Sequence, residues 1–275
     1  ITKYLPKFGI EYSYFNAANP EEWESLIRPN TKMIFLETPS NPGLDIIDLE
    51  WVGRICKEKN ILLVVDNCFA TPAVQQPIPL GADLVLHSAT KFIDGQGRTI
   101  GGAILGSKEL IKEIRFFARH TGPSMSPFNA WILSKSLETL PVRMDKHCEN
   151  AYNLADYLDG HQELETVKYP FLKSHPQYDL AKKQMKYGGG LVTFVVGGGI
   201  DRARRFLNNL KMLSFTANLG DTRTTVTHPA STTHSKLTDE ERERVGIKPG
   251  LIRISVGLEN VNDVLEDIEG ALRAS

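Results

Sequence analysis

Cysteine is scarce: Cys56, Cys68 and Cys148 are the only three in 275 residues, and no two form a Cys-x-x-Cys pair. An odd, scattered set of thiols excludes a disulfide-framed domain and a thiolate zinc site, and suits a reducing, cytoplasmic setting. Net charge is equally slight. At −1 the chain has no electrostatic reason to seek nucleic acid or an anionic membrane. Long apolar runs are missing too: Ile61-Leu62-Leu63-Val64-Val65 is the longest aliphatic stretch, far short of the ~20 residues that span a bilayer. The expected partners are small molecules, with neither nucleic acid nor membrane among them. No basic-plus-apolar leader and no methionine opens the chain; it begins at Ile1, and residues 1–15 already read as mid-domain sequence, so a natural N-terminus is expected to be lacking.

What is present is an ordinary globular composition, 41% hydrophobic and 24% charged, over a length that favours two domains. Asn19-Pro20-Glu21-Glu22 reads as a capped start for a helix over about 20–28. Met33-Ile34-Phe35-Leu36 then forms a brief strand stopped by Thr38-Pro39-Ser40-Asn41-Pro42-Gly43. Leu49, Val52, Ile55 and Cys56 recur at helical spacing, and residues 61–65 form a strand covered on both faces. An irregular proline-rich stretch leads to a third strand at Leu84-Val85-Leu86, and Ala103-Ile104-Leu105 is a fourth. Alternation of strand and helix argues for an α/β layer with a parallel sheet.

Helices are predicted over residues 107–119 (Ser107 capping), 129–140 and 143–159, the last ended by Gly160. The second half changes pattern. Leu191-Val192-Thr193-Phe194-Val195-Val196 lies between two triple-glycine turns, a helix follows over about 201–211, Thr238 and Glu241 form a capping box, Leu251-Ile252-Arg253-Ile254-Ser255-Val256 alternates as a strand, and Val264, Leu265, Ile268, Ala271 and Leu272 stripe a final helix. The expected organisation is a large domain over 1–141 and a smaller α+β domain over 142–275.

The chemistry concentrates at Asp83-Leu84-Val85-Leu86-His87-Ser88-Ala89-Thr90-Lys91, where a buried strand ends in two hydroxyls and an amine. A lone lysine in a loop is ordinarily a surface lysine, but one at a buried strand end becomes a competent imine-forming amine and proton carrier. Ser88 and Thr90 offer hydroxyls suited to phosphate. Asp66 could hold a pyridine nitrogen protonated, although a lone aspartate there more often caps a turn. Asn41 could donate to a ring oxygen or be only a turn former. Arg253 could clamp a carboxylate, or pair with a nearby acid. Asn41, Asp66 and Lys91 are each 25 positions apart, near one strand-crossover repeat, which would bring them together at the carboxyl ends of a parallel sheet. His228 and His234 lack a third ligand for zinc, and the glycine runs do not match a dinucleotide turn.

Glu37 to Pro42, Val65-Asp66-Asn67, His87 to Lys91, His228-Pro229-Ala230-Ser231-Thr232-Thr233-His234 and Arg253 to Glu259 together resemble the pyridoxal-phosphate enzymes of cysteine and methionine metabolism, the trans-sulfuration family, over essentially the whole chain. Gly95-Gln96-Gly97-Arg98 and the run from Ala118 to Pro127 are most similar to its O-succinylhomoserine sulfhydrylase branch. The resemblance implies a fold-type I transferase: a mostly parallel α/β large domain, incomplete at its N-terminus, with an α+β C-terminal domain. It implies pyridoxal 5'-phosphate as cofactor, joined to Lys91, with Asp66 on the pyridine nitrogen, Asn41 on the ring oxygen, and Ser88 and Thr90 on the phosphate. Arg253 would bind the substrate carboxylate, with Asn218 and Thr233 nearby; Asn218 stands where many members carry serine. The implied reaction is γ-replacement on O-succinyl- or O-acetylhomoserine by sulfide, giving homocysteine for methionine biosynthesis, with cystathionine γ-synthase and cystathionine or methionine γ-lyase as alternatives. The family also implies a cytoplasmic homo-oligomer, a tetramer of active dimers, and upstream residues that complete the phosphate site. A reading of another class follows from their expected absence: an inactive fragment lacking part of the cofactor site.

Overall fold

A computed structural model describes residues 2–16 and 20–275. The expected cap at Asn19 lies outside the described residues, and the helix it would open is α1 (Pro20–Leu26). The first unit continues with β1 (Met33–Glu37), α2 (Leu49–Glu58), β2 (Leu62–Asp66), α3 (Thr71–Val74), β3 (Leu84–Ser88), β4 (Gly102–Gly106), α4 (Lys108–Thr121) and α5 (Pro127–Leu137). Its sheet has the order β1-β2-β3-β4, with β4 antiparallel to β3 and the others parallel. The expected parallel layer is therefore present, but its last strand turns back. The proline-rich stretch, irregular in its sequence pattern, holds α3 and a 3-10 turn at Ile78–Leu80.

Local chemistry explains most boundaries. Asp48 caps α2 by accepting the Trp51 N–H at 2.9 Å, and Leu49, Val52 and Cys56 pack with Leu63, Val65 and Val85 of the sheet. Ser107 caps α4 as expected. Helix α5 starts earlier than the predicted 129–140, because Ser126 accepts the Phe128 N–H and Pro127 sits in the first turn. It also stops earlier. Its Trp131 and Leu137 are exposed, whereas Leu133 packs inward.

Helix α6 (Leu140–Leu158) joins the two units, and we propose its start as their division. Leu140, Met144 and Cys148 pack with Phe92, Phe69 and Ala89 of the first unit, whereas Ala151, Leu154 and Leu158 enter the second core. Beyond it come β5 (Leu164–Lys168), α7 (Tyr178–Gln184), β6 (Leu191–Val196), α8 (Gly199–Asn209), β7 (Ser214–Phe215), β8 (Thr225–Thr227), α9 (Asp239–Arg244), β9 (Leu251–Ser255) and α10 (Val261–Arg273). The second sheet has the order β5-β6-β9-β8-β7. The capping box of α9 forms between Thr238 and Glu241 as the sequence indicates.

Strand β9 alternates in sequence yet is buried at every position. Ile252 and Ile254 pair with Phe194 and Val192 of β6 and join the core formed with α6, α8 and α10. The intervening residues, Arg253 and Ser255, lie on the opposite pleat, with Thr193 and Thr227 flanking Arg253 in register. The polar side of that alternation thus faces protein rather than water. No helix among the described residues is long and apolar enough to cross a membrane.

Candidate active site

The polar face of β9 is the foundation. Arg253 is 2% exposed; its Nη1 donates to Asn41 Oδ1 at 2.8 Å and its Nη2 to the Ala217 carbonyl at 3.2 Å. Burial pushes the guanidinium down to about 10, with the nearby Glu37 charge pulling upward. Ser255 accepts the Gly220 N–H at 2.9 Å. The 217–220 loop is therefore pinned at both ends by one strand, and Asn218 between them accepts a hydrogen bond from Lys91 Nζ.

Lys91 follows β3 in a tight turn: its N–H donates to the Ser88 carbonyl at 3.1 Å, and its own carbonyl accepts the Gly95 N–H at 2.8 Å. Burial and the facing Arg253 both lower its pKa, so the free amine is favoured relative to a surface lysine. Gly220 presses directly on this turn. A Cβ there would lie 2.5 Å from the Phe92 nitrogen and 2.8 Å from the Lys91 carbonyl carbon, and its φ of +80° disfavours any other residue. Gly220→Ala is expected to displace the Lys91 turn and cost about 2 kcal/mol or more in stability, read as a lower thermal midpoint together with weaker cofactor retention. An unchanged midpoint with full cofactor content would contradict this packing.

Asp66 ends β2, where its Oδ1 accepts the Cys68 N–H at 3.0 Å. Asn67 beside it is structural: its side chain donates to the Gln75 carbonyl and accepts from Gln75 Nε2, each at 2.9 Å, and Gln75 also reaches the Thr38 carbonyl. This buried pair ties the loop after β1 to the loop after β2. Cys68, which sequence reasoning passed over, accepts the Ser88 N–H on Sγ at 2.6 Å, and its thiol is pushed up to about 12 by burial and a hydrogen bond to Asp66. It is a brace between the two strand ends, not a nucleophile.

The remaining candidates divide. The Ser88 hydroxyl has no partner among the described residues, whereas Thr90 Oγ1 donates to the Gly101 carbonyl at 3.3 Å and accepts its N–H at 3.1 Å. The first of these is a long bond, open to competition from a phosphate oxygen. Thr233 is exposed and its hydroxyl bonds only His234 Nδ1, at 2.8 Å; it is His234 that lies within the electrostatic reach of Arg253. His228 spends both ring nitrogens on Ser231 and the Pro249 carbonyl. The run from Arg253 to Glu259 is largely a brace: Glu259 accepts the Thr224 N–H and hydroxyl, and Asn150 of α6 donates to the Gly257 and Glu259 carbonyls.

The donor set fits pyridoxal phosphate. An amine with a disfavoured ammonium form matches an aldehyde, a carboxylate on the neighbouring strand matches a protonated ring nitrogen, and an amide whose oxygen is taken by Arg253 has its NH2 left for a ring oxygen. Fold and site together define a cofactor-dependent enzyme acting on amino acids, built from a mostly parallel sheet and a second α+β unit.

Comparison with known proteins agrees. The family model for Cys/Met metabolism PLP-dependent enzymes matches residues 1–273. The chain is 48% identical over 272 residues to an O-succinylhomoserine sulfhydrylase from Pseudomonas aeruginosa, covering 99% of this chain and 68% of that protein. It is 45% identical to an L-methionine gamma-lyase from Fusobacterium nucleatum, covering 98% and 69%. The crystal structure of metB from Corynebacterium glutamicum superposes with a TM-score of 0.94 at 39% identity, covering 98% of this chain and 70% of that one. The chain belongs to the Cys/Met metabolism PLP-dependent enzyme family, and pyridoxal phosphate is its cofactor.

Proposed function

We propose that this protein catalyses γ-replacement on O-succinylhomoserine, with O-acetylhomoserine as the nearest substitute, using sulfide and giving homocysteine and the free acid. The observation that carries the reading is the convergence of Lys91 and Arg253 on the 217–220 loop, which would set a proton carrier beside a carboxylate held by Arg253. Pyridoxal phosphate, when bound, supplies the electron sink that acidifies the carbons of an attached amino acid. Lys91 would hold it, Asp66 would sustain the charge on its ring nitrogen, Asn41 Nδ2 would donate to its ring oxygen, and Ser88 and Thr90 would meet its phosphate.

The protein's own groups do the rest. Arg253 has five N–H donors and spends one on Asn41 and one on Ala217, so the remainder can receive the substrate carboxylate. A carboxylate held there orients the α-carbon toward Lys91 Nζ. As a free amine Lys91 takes the Cα proton and moves protons between Cα and Cβ, and Asn218 Oδ1 gives its ammonium form a resting partner. Loss of the acid from Cγ then opens that carbon to sulfide. The position of Asn218, on the open side of Lys91, suits contact with the incoming substrate; Thr233 would act from the adjoining loop.

Similarity to O-succinylhomoserine sulfhydrylases of Pseudomonas aeruginosa and Mycobacterium tuberculosis, at 48% and 44% identity, supports the acyl group and acceptor. A γ-lyase or cystathionine γ-synthase is the second reading, favoured by the 45% identity to an L-methionine gamma-lyase. Assays of the holoenzyme with both acylhomoserines, offered sulfide and then cysteine, separate them. Faster turnover with sulfide is expected, and faster turnover with cysteine would reverse the assignment.

A further inference from the structure

The equal spacing of Asn41, Asp66 and Lys91 does not describe the sheet. In the parallel register the residue opposite Asp66 is Glu37 on one side and Leu86 on the other; Asn41 and Lys91 reach the site along loops beyond those strands. Glu37 and Asp66 therefore end adjacent strands on the same pleat. Glu37 is a family-motif residue to which no role was attached, and its surroundings are specific. Its Oε2 accepts the Asn41 N–H at 3.2 Å, and the Asn41 side chain in turn accepts from Arg253 at 2.8 Å.

The charged and titratable groups around it come from every neighbouring element. Asp66 lies on β2 and Cys68 just after it, His87 on β3 beside Asp66, Lys91 on the following turn, Arg253 on β9, and His234 on the loop after β8 facing Arg253. Burial and Asp66 raise the Glu37 carboxyl to about 7, against the Asn41 N–H and Arg253, which favour its anion. Among the described residues no acid forms an ion pair with the guanidinium, and its charge supports the Glu37 anion after the Asn41 N–H. A carboxylate ligand on Arg253 removes that support and adds a second negative charge nearby, and both changes favour the protonated acid.

We propose that Glu37 is a positioning residue for the substrate carboxylate: it holds Asn41 and, through it, the guanidinium of Arg253, and it takes a proton from solvent when a carboxylate anion docks on that guanidinium. This rests on the reading of Arg253 as the carboxylate site. The proton comes from the buffer and returns when the anion leaves, so no other reactant is needed. The consequence is a carboxylate site that weakens as pH rises through the Glu37 titration and is strongest below it.

The test uses the holoenzyme and butanoate, which has the carbon skeleton of homoserine but no amine to exchange with Lys91. Calorimetric titration from pH 6 to 8.5, in two buffers of different ionisation enthalpy, counts the protons taken up. The wild type is expected to take up between ~0.3 and ~0.5 proton at its titration midpoint and more just above it, with Kd rising up to about tenfold per pH unit there. Glu37→Gln keeps an oxygen for the Asn41 N–H but cannot titrate; it is expected to bind butanoate with little proton uptake and a flat pH profile, whereas His234→Asn keeps the uptake. A merely structural Glu37 would change thermal stability and leave the proton count alone. Uptake absent from the wild type, retained in Glu37→Gln or lost in His234→Asn overturns the proposal. Butanoate binding that is missing, or undiminished in Arg253→Ala, overturns the carboxylate site itself and this inference with it.

Discussion

Lys91→Ala is expected to abolish turnover, with kcat/KM falling at least about 10⁴-fold, the upper range for losing a positioned general acid–base. The loss is compound. The same Nζ that would hold the cofactor is the group poised to move the substrate's protons, and its neighbours are arranged for both: burial and Arg253 disfavour its ammonium form, while Asn218 accepts from it. Borohydride reduction followed by peptide mapping is expected to leave the cofactor mass on the Lys91 peptide of the wild type and nowhere in the variant. An adduct on another lysine of the wild type would move the site. Because the Lys91 backbone is held by Ser88, Gly95 and Gly220 rather than by its side chain, the variant is expected to fold, and circular dichroism checks this.

Asp66→Ala is expected to cost about 10²- to 10⁴-fold in kcat, the equivalent of the 3–5 kcal/mol lost when one partner of a buried charge pair is removed. The carboxylate sits at the end of a strand buried along its middle, with the Cys68 N–H on one oxygen, so its orientation is set before any ligand arrives. With the acid gone, nothing in place would keep a ring nitrogen protonated, and the electron sink would weaken. The KM for the acylhomoserine is expected to move far less than kcat, since Arg253 and Asn41 remain paired. A variant that kept kcat and lost only affinity would assign Asp66 to binding alone. Asp66→Asn, which keeps shape without charge, is expected to be nearly as impaired.

Much of this was legible in the chain. The strand runs at 33–36, 61–65 and 84–86, the caps at Ser107 and Thr238, and the apolar stripe of α10 state their structure in local chemistry, and each forms within a residue or two. The chemistry and position of Lys91, Asp66, Asn41 and Arg253 mark them in the chain and the family resemblance implies their roles, and the fold brings Asn41 to Arg253 across 212 positions of sequence. What stayed hidden depends on register and on which element covers which. The reversal of β4 carries no local signal, because its residues would suit a strand of either direction. The alternation of β9 looks like a half-exposed strand, and only the packing of two units turns its polar side into the floor of the site. Glu37 was overlooked for a related reason: counting residues paired Asp66 with Asn41, whereas hydrogen bonding pairs it with Glu37. The close approach of Gly220 to Lys91, from over a hundred residues away, is likewise a property of the packed chain.

The most direct test of the central claim is product analysis of the holoenzyme given O-succinylhomoserine, sulfide and cysteine together, with methionine alone as a parallel reaction. Homocysteine as the main product, formed faster than cystathionine and with little methanethiol released from methionine, is the result expected of a sulfhydrylase. Cystathionine as the main product, or methanethiol released from methionine at a comparable rate, would contradict it.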